Sequence, residues 1–509
     1  MKPNSGALPV TIGAIIFTIL FYNQATGLNL LFFELIYLAW LLIRRQVDFS
    51  NPYLIITFAG LGITLVFTII THSVFGYIIH YLALFVFTGM LIYPQAKSLI
   101  TASGLAFLNI GSSHRLFLLE LMGLRLKGKN IGTLIRRILI FILPVVIILV
   151  FIALYRNSNP WFDNLVRNML VKVGNWFEYI FRDFDFMIVV TFLIGLIVCS
   201  YLIFRYRNNR IAEKDRIAVD TLSRTRGKRY RRFKSISLKN EYRAGVFLLL
   251  VLNVILLIVN ILDVYWVWFN FSWNGQYLKQ FVHEGTYLLI LSILISIVLI
   301  LYFFRRNINF YPGNKFLKIL GYTWLAQNAV LAISVGIRNF WYIYYYALAY
   351  RRIGVIIFLV LTLAGLITVI IKVKELKTAF YLFRTNALVL YIVLILSSLI
   401  NWDTLIAKYN FSHAERSFLH LDFMAALSDK ALPYLDVPLA ELKKLDTIQK
   451  HNFPYEKVRY MTPETYHSVI DSRKVFFKQK WEEKGVLSWN LPEYLAYKKL
   501  YGRAETTDN

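Results

Sequence analysis

Residues 245–262 read GVFLLLVLNVILLIVNIL, a run of 18 residues without a charged side chain. An apolar run of about 18 residues or more is long enough to cross the hydrocarbon layer of a bilayer as an α-helix. This stretch therefore predicts a transmembrane helix, and similar runs recur along most of the chain.

Taken together, the apolar runs predict about eleven transmembrane helices. The predicted spans are 8–24, 28–43, 52–71, 75–93, 138–155, 186–204, 245–265, 285–304, 319–337, 353–371 and 385–400. The composition agrees, because 58% of the 509 residues are hydrophobic and only 17% are charged, which is too apolar for a soluble protein of this length. An odd number of spans places the two ends of the chain on opposite sides of the membrane.

The chain after the last predicted span has a different composition. Residues 401–509 hold 16 Lys/Arg and 15 Asp/Glu, so only +1 of the net charge of +27 falls there. Helix-start signals occur at Thr462–Pro463 and near Pro492, and a third helix is predicted between His413 and Leu427. We therefore predict an all-α polytopic membrane protein in which residues 1–400 form the transmembrane bundle and residues 401–509 a small, mainly helical C-terminal domain.

The distribution of Lys and Arg predicts the orientation, since short loops rich in these residues stay in the cytoplasm. Basic residues follow the second, fourth, sixth, eighth and tenth predicted spans. The most basic loop is 205–243, where residues 205–239 alone contain thirteen Lys/Arg and three acidic residues. We therefore expect a cytoplasmic N-terminus and an extracytoplasmic C-terminal domain. Segment 338–352 is an exception, because it carries three arginines and falls on the outside.

The basic loop 205–243 has two interpretations. In the first, it anchors the protein to anionic lipids of the cytoplasmic leaflet. In the second, the loop contacts RNA, as on a ribosome, or an acidic protein. Its densest cluster consists of Lys228, Arg229, Arg231 and Arg232.

Two further segments are too interrupted or too polar to span the membrane. Residues 96–130 contain short apolar patches separated by Gly and Ser, and we predict two helices lying in the cytoplasmic interface. Residues 157–185 place aromatic and aliphatic residues at helical spacing, which predicts an amphipathic helix on the outer leaflet.

Ionisable residues near the outer ends of the spans are the candidate functional residues, because charged groups at membrane depth are costly and usually have a partner or a task. One interpretation is a set of interfacial salt bridges within an aromatic belt. The other is an outer pocket in which arginines bind an anionic headgroup, phosphate or carboxylate while an acidic residue acts as base or charge partner. The catalytic candidates are Asp263, His283 and Glu284, and the binding candidates are Arg338, Tyr346, Arg351, Arg352 and Asp403.

Few polar residues lie deeper in the predicted spans. Glu34 and His80 are compatible with a proton path, but isolated groups of this kind more often form hydrogen bonds between helices. The single cysteine, Cys199, excludes an intramolecular disulfide and a CxxC site. We found no phosphate-binding, dinucleotide-binding, metalloprotease or serine-hydrolase motif, and we predict neither a cofactor nor a metal site.

The chain resembles a known group of bacterial membrane proteins. Residues 401–410 read NWDTLIAKYN, and residues 421–435 read LDFMAALSDKALPYL. This pattern is similar to that of the domain-of-unknown-function families 4153 and 4173. Segments 284–289 and 338–354 also resemble these families, although His283–Glu284 stands where arginine is usual. The resemblance covers roughly residues 240–440 and implies a bacterial cytoplasmic-membrane protein, but no activity.

Three functional classes remain after these observations. The first is a non-catalytic accessory or scaffold subunit of an envelope assembly, secretion or protein-translocation machine, which acts through its extracytoplasmic face. The second is an enzyme acting on a lipid-linked or anionic substrate at the outer leaflet, and the third is a transporter. We favour the first class because the chain lacks catalytic motifs. It implies anionic lipids and other envelope membrane proteins as partners.

Overall fold

A computed structural model describes residues 6–123, 125–126, 129–180, 185–224, 231–271, 275–454 and 461–502. Within these ranges the side chains of residues 123–139, 142, 173, 175–180, 231–237, 275–286 and 306–307 are not described. The statements below concern the described residues.

The part of the chain up to residue 398 consists of long helices. They are α1 (Ala7–Phe21), α2 (Leu28–Ile43), α3 (Pro52–Thr71), α4 (Val74–Ile92), α5 (Leu99–Gly123), α6 (Ile131–Ser158), α7 (Pro160–Ile180), α8 (Phe186–Ile203), α9 (Asn209–Ile217), α10 (Arg231–Asp263), α11 (Gly275–Phe303), α12 (Lys315–Tyr346), α13 (Tyr350–Lys374) and α14 (Ala379–Ser398). A π-helical segment, Val264–Phe269, extends α10, and a two-residue hairpin, Arg125–Leu126 with Lys129–Asn130, precedes α6.

The residues after α14 form shorter helices, and we call residues 402–502 the C-terminal segment. Its helices are α15 (Trp402–Ser412), α16 (Leu421–Ala425), α17 (Leu432–Leu435), α18 (Leu439–Asn452), α19 (Pro463–Glu482) and α20 (Leu491–Tyr501). The helix starts predicted near Pro463 and Pro492 are confirmed, since Thr462 and Asn490 cap α19 and α20. Between His413 and Leu427 the structure has only the five-residue α16.

Seven helices of the described chain are long and apolar enough to cross a membrane. Four more apolar helices are shorter: Ala7–Phe21, Leu28–Ile43, Leu143–Ser158 and Tyr287–Phe303. Each of the eleven predicted spans overlaps one of these eleven helices or helical segments. Apart from the short hairpin before α6, the regular structure of the described residues is helical, and the protein is a multi-pass membrane protein. The number of eleven crossings stays a prediction.

The helices pack into two apolar cores. The first core brings together α1–α5, α8 and α14, and small residues allow close approach. For example, a Cβ atom at Gly89 of α4 would clash with the carbonyl oxygen of Ala102 in α5. The second core is formed by α10–α14. A third cluster lies in the C-terminal segment around the fully buried Tyr466, whose hydroxyl donates to the Leu435 carbonyl at 2.9 Å.

Seven of the connections between helices gather at two ends of the bundle. At one end, which we call the tail end, the α1–α2, α3–α4 and α12–α13 turns contact the C-terminal segment. Ser488 donates a hydrogen bond to Gln24 at 2.8 Å, and Lys430 donates one to the His72 carbonyl at 3.1 Å. Asn410 donates one to the Leu348 carbonyl at 3.0 Å.

At the opposite end, which we call the basic end, the α2–α3, α4–α5, α8–α10 and α13–α14 connections meet one another. Arg205 donates to Gln46 at 2.7 Å, the Lys97 amide donates to Asp215 at 2.8 Å, and the Leu222 amide donates to the Leu376 carbonyl at 2.7 Å. These four connections, which the sequence predicts on one side of the membrane, are therefore neighbours in the structure.

Three local predictions need correction. Residues 99–123 form one continuous helix that packs against α4 and α8, where two interfacial helices were predicted. Residues 231–243 belong to α10 and are not part of a loop. The outer segment predicted at 338–352 is largely helical, because α12 continues to Tyr346. Helices extend beyond their apolar runs because polar residues beyond the hydrocarbon layer continue the same hydrogen-bond ladder.

Candidate functional site

The first predicted group, Asp263 and Arg338, forms a buried ion pair between α10 and α12. The second oxygen of Asp263 accepts a hydrogen bond from Ser334 at 2.7 Å. Ser334 in turn accepts one from the indole of Trp268 at 3.2 Å, in the π-helical segment. Only 5% of Arg338 and 8% of Asp263 are exposed. The pair joins two helices of the second core.

The second group closes the turn between α12 and α13. The Arg352 guanidinium donates to the carbonyl oxygens of Tyr346 and Ala347 and lies 4.3 Å from the centre of the Tyr342 ring. Arg352 is buried, whereas its neighbour Arg351 is exposed. Ala347 has a φ of 66°, which an alanine rarely adopts. The contacts from Arg352 hold this strained turn in place.

The third group surrounds Asp403, the second residue of α15. One carboxylate oxygen accepts a hydrogen bond from the Tyr350 hydroxyl. The other accepts from Ser428 at 2.7 Å and lies 2.8 Å from the Lys430 ammonium. Lys430 also donates to the carbonyls of Thr71 and His72, each at 3.1 Å, at the C-terminal end of α3. We call Asp403, Tyr350, Ser428 and Lys430 the tail-end cluster.

Electrostatics keep the Asp403 carboxylate ionised. Burial opposes ionisation of Asp403, but the charge and hydrogen bond of Lys430, together with the Tyr350 and Ser428 hydroxyls, outweigh it and hold the pKa of Asp403 below its ordinary value. The ammonium of Lys430 also lies at the negative end of the α3 dipole, which favours a cation. The cluster thus connects the C-terminal segment to α3 and α13.

A second contact between the C-terminal segment and α3 involves Glu493 of α20. Its carboxylate pairs with Lys484 and lies 3.7 Å from the Nε2 atom of His72. Burial lowers the pKa of His72 below its ordinary value, although the Glu493 charge acts in the opposite direction. Burial also disfavours the Glu493 anion, but the Lys484 and Asn490 hydrogen bonds outweigh it and leave the pKa of Glu493 lowered.

A cleft of about 470 Å³ lies beside the tail-end cluster. Its walls come from the start of α4, the first turns of α13 and the C-terminal segment at Trp402–Asp403 and Ala426–Ser428. Its volume is within the range of about 300 to 1,000 Å³ found for small-molecule sites. The cleft therefore offers space for a ligand next to a carboxylate.

Inside the first core, Glu34 of α2 and His80 of α4 lie in direct contact. Glu34 Oε1 is 2.8 Å from His80 Nε2, and His80 Nδ1 is 3.2 Å from the Thr64 hydroxyl. Thr64 uses its hydroxyl hydrogen for the Gly60 carbonyl at 2.9 Å. His80 Nδ1 then carries a hydrogen and donates it to Thr64. One further proton is shared between His80 Nε2 and Glu34 Oε1. Both assignments follow from the hydrogen-bond network. The prediction that these two residues bond between helices is confirmed.

Several predicted site residues fall where the structure gives no side chains. His283 and Glu284 lie on α11, but their side chains are outside the described residues. Lys228 and Arg229 are themselves outside the described residues, and Arg231 and Arg232 begin α10 without described side chains. Among the described residues, no group of three His, Cys, Asp or Glu could hold a metal ion.

Sequence reasoning missed Lys430, Ser428 and His72 as members of the site. Ser428 and Lys430 stand within the family-like stretch 421–435, so their presence was visible but their role was not. Only the three-dimensional structure identifies these residues, because Lys430 contacts the carbonyl of Thr71, which lies 359 residues earlier in the chain.

Comparison with protein families adds one relationship. The pattern described as "Domain of unknown function (DUF4153)" matches residues 7–437. The chain belongs to this family. The match reaches further toward the N-terminus than the resemblance over residues 240–440, while the resemblance to family 4173 stays a prediction. No curated protein and no solved structure matches the chain.

Proposed function

We propose that the protein is a non-catalytic accessory or scaffold subunit of an envelope assembly, secretion or protein-translocation machine in the bacterial cytoplasmic membrane. In this proposal the N-terminus is cytoplasmic, and the C-terminal segment faces the outside and contacts a partner. The basic end of the bundle supports this orientation, because loops rich in Lys and Arg stay in the cytoplasm.

The observation that carries the proposal is how the described buried charges are used. Asp263 pairs with Arg338, Asp403 pairs with Lys430, and Arg352 binds carbonyls of its own turn. A catalytic acid or an anion-binding arginine must reach a substrate, whereas these groups bind parts of their own chain. Their arrangement stabilises a fixed shape, which is what a scaffold requires.

Exposed apolar side chains on the C-terminal segment give further support. Val475 and Phe476 are adjacent on α19 and are 68% and 72% exposed, although the helix is otherwise rich in charged residues. Aromatic side chains are enriched where proteins bind one another. We therefore place the partner contact on this side of α19.

Photo-crosslinking tests the proposal directly. A benzophenone amino acid replaces Phe476 in one variant and Lys443, whose side chain is 56% exposed, in a control variant. We expect one envelope protein to be crosslinked in living cells from position 476 and not from position 443. Crosslinks to lipid alone, or the same adducts from both positions, would contradict the proposal.

The enzyme alternative rests on Asp263, Glu284 and Arg338. The variants Asp263→Asn, Glu284→Gln and Arg338→Gln separate the two functions, provided that each protein accumulates in the membrane. The scaffold proposal expects a defect only where the folded amount falls. Loss of cellular function at a normal folded amount of Glu284→Gln would favour an enzyme. The transporter alternative has the Glu34–His80 pair as its candidate proton site.

A further inference from the structure

A groove lies between α1, α2 and the last turns of α8, and we call it the α1–α2 groove. Its volume is about 230 Å³, and its walls are mainly apolar. Arg44 is the only charged side chain among its described lining residues. Side chains of α1 and α2 form its two sides: Leu8, Ile12, Ile16, Phe33, Ile36 and Trp40. The groove therefore combines an apolar body with one cationic group.

The groove is long and narrow. On α2 it extends from Phe33 to Arg44, which is about 16 Å at the helical rise of 1.5 Å per residue. For comparison, a cavity of about 150 Å³ holds one benzene molecule. The 230 Å³ of the groove thus accommodate part of one hydrocarbon chain, but neither two chains nor a headgroup.

The groove opens sideways, toward the surface of the helix bundle. Leu8 and Ile12 on α1 are 63% and 49% exposed, and Ile36 on α2 is 47% exposed. Behind the groove, α1 packs against α8, which is one of the seven helices long and apolar enough to cross a membrane. Apolar side chains exposed on such a bundle contact lipid chains. An acyl chain therefore has direct access to the groove.

Arg44 lies where the apolar part of the sequence ends. The apolar run of α2 ends at Ile43 and that of α8 at Phe204, and an arginine follows each of them. Charged groups are costly in hydrocarbon, so Arg44 and Arg205 mark the end of the apolar surface on two adjacent helices. Arg44 is exposed, and its guanidinium forms no hydrogen bond or ion pair with the described residues. Its five N–H donors are thus available to a ligand.

The electrostatic surroundings of Arg44 favour an anion. Arg205, the second arginine at this end of the groove, donates to the uncharged Gln46 at 2.7 Å. The N-terminal end of α1 lies at the same end and adds the partial positive charge of its helix dipole. Glu120 offsets part of this charge, but its carboxylate accepts a hydrogen bond from the Ala7 amide at 3.2 Å and does not pair with either arginine.

A phosphate fits this arrangement best. A guanidinium binds phosphate oxygens through two parallel charged hydrogen bonds, which are stronger than hydrogen bonds between neutral groups. The ligand must then have a hydrocarbon chain for the groove and a phosphate at the end where Arg44 lies. Phospholipids have both parts, and they surround a multi-pass membrane protein.

We propose that the α1–α2 groove binds one acyl chain of an anionic glycerophospholipid, whose phosphate contacts the Arg44 guanidinium. The second acyl chain stays in the surrounding bilayer, because the groove holds only one. The bound chain fills the gap between α1, α2 and α8. This site lies at the opposite end of the bundle from the C-terminal segment, so it does not depend on the proposed partner contact on α19.

Native mass spectrometry of the purified full-length protein tests the site. The protein is exchanged into phosphatidylglycerol or phosphatidylcholine with identical acyl chains, and retained lipid is counted. Both lipids have a phosphate, but the choline cation opposes binding beside two arginines. We therefore expect one retained phosphatidylglycerol, bound about tenfold more tightly than phosphatidylcholine. Equal retention of the two lipids would overturn the proposal.

A pair of arginine variants tests the phosphate contact. Arg44→Gln removes the charge from the groove, whereas Arg45→Gln removes the same charge from an exposed neighbour that does not line it. We expect the preference for phosphatidylglycerol to disappear in Arg44→Gln and to remain in Arg45→Gln. The same loss in both variants would show that only the general charge of this end attracts lipid.

Variants that fill the groove test the acyl-chain contact. Ile12 and Ile15 of α1 are 49% and 48% exposed, and Ile36 and Leu35 of α2 are 47% and 48% exposed, but only Ile12 and Ile36 line the groove. We expect Ile12→Trp and Ile36→Trp to lose the bound lipid, while the matched controls Ile15→Trp and Leu35→Trp keep it. Lipid retention by both folded groove variants would contradict the assignment.

Discussion

Two buried acid–base pairs in this protein have the same contact distance and different surroundings. Asp403 and Lys430 lie 2.8 Å apart, as do Glu34 and His80. Both oxygens of Asp403 and all three hydrogens of Lys430 have partners. In contrast, Glu34 Oε2 is buried and has no hydrogen-bond partner among the described residues.

The two pairs have different structural roles. The Asp403–Lys430 pair joins the C-terminal segment to α3 and α13, elements that are far apart in sequence. The Glu34–His80 pair joins two helices of one core through a single hydrogen bond of 2.8 Å between Glu34 Oε1 and His80 Nε2. An ionised carboxylate with an unpartnered oxygen would be costly in an apolar core. The pair whose atoms all have partners is thus the one that joins distant parts of the chain.

The largest expected effect follows from removing Lys430. The variant Lys430→Met leaves the Asp403 carboxylate buried without its cation and frees two carbonyls at the end of α3. Breaking a buried pair in this way costs about 3–5 kcal/mol. We expect a loss of this size in the free energy of unfolding, measured with denaturant in detergent micelles. The double variant Lys430→Met, Asp403→Asn should recover part of it, and additive single effects would contradict the coupling.

A smaller effect is expected at Glu34. Glu34→Ala leaves His80 Nε2 buried without its partner, which costs about 1–3 kcal/mol. Glu34→Gln keeps a neutral donor at the same position and should be close to wild type. Thermal unfolding of the two variants measures the difference. If Glu34→Gln is as unstable as Glu34→Ala, the shared-proton account is wrong.

Acid should weaken the contact between the C-terminal segment and α3. The pKa of His72 is lowered by burial, so its contribution to stability is full above about 6.5 and is lost as the pH falls below that value. The groups facing His72 are Glu493, Tyr77 and the cations Lys430, Lys480 and Lys484. The pKa values of Asp403 and Glu493 are also lowered in the folded protein, so protonation of these carboxylates reduces its stability further at lower pH.

Melting temperatures measured between pH 7.5 and pH 5 test this expectation. The wild type should lose stability over this window, and His72→Gln, which cannot be protonated, should lose less. A wild-type melting temperature that rises on acidification would contradict this expectation, because protonation of His72 would then stabilise the folded protein.

The smallest effect is expected at the surface of the C-terminal segment. Lys443 and Glu464 form an exposed ion pair at 3.2 Å, with both side chains more than half exposed. Solvent and salt screen such a pair. We expect Lys443→Met to leave the free energy of unfolding unchanged within error. The difference between Lys443→Met and Lys430→Met, the same substitution at an exposed and at a buried position, then measures the effect of burial.

The sequence was sufficient to locate the apolar helices, because lipid requires long apolar helices, and its Lys/Arg bias grouped connections that are neighbours in the structure. It was insufficient for the helix ends: Arg338 was predicted to close a span, yet it lies within α12. The sequence was also insufficient to predict which charged residues pair, because Lys430 contacts Asp403, 27 residues away, and Thr71, 359 residues away. Such contacts depend on how helices pack, which apolar periodicity does not specify.

The central claim is that the protein is a non-catalytic subunit of a membrane machine. Purification of the full-length protein from native membranes at its natural level, followed by mass spectrometry, tests this claim most directly. We predict recovery of at least one envelope protein in stoichiometric amount. Recovery of the chain alone, with bound lipid and no companion protein, would contradict the account.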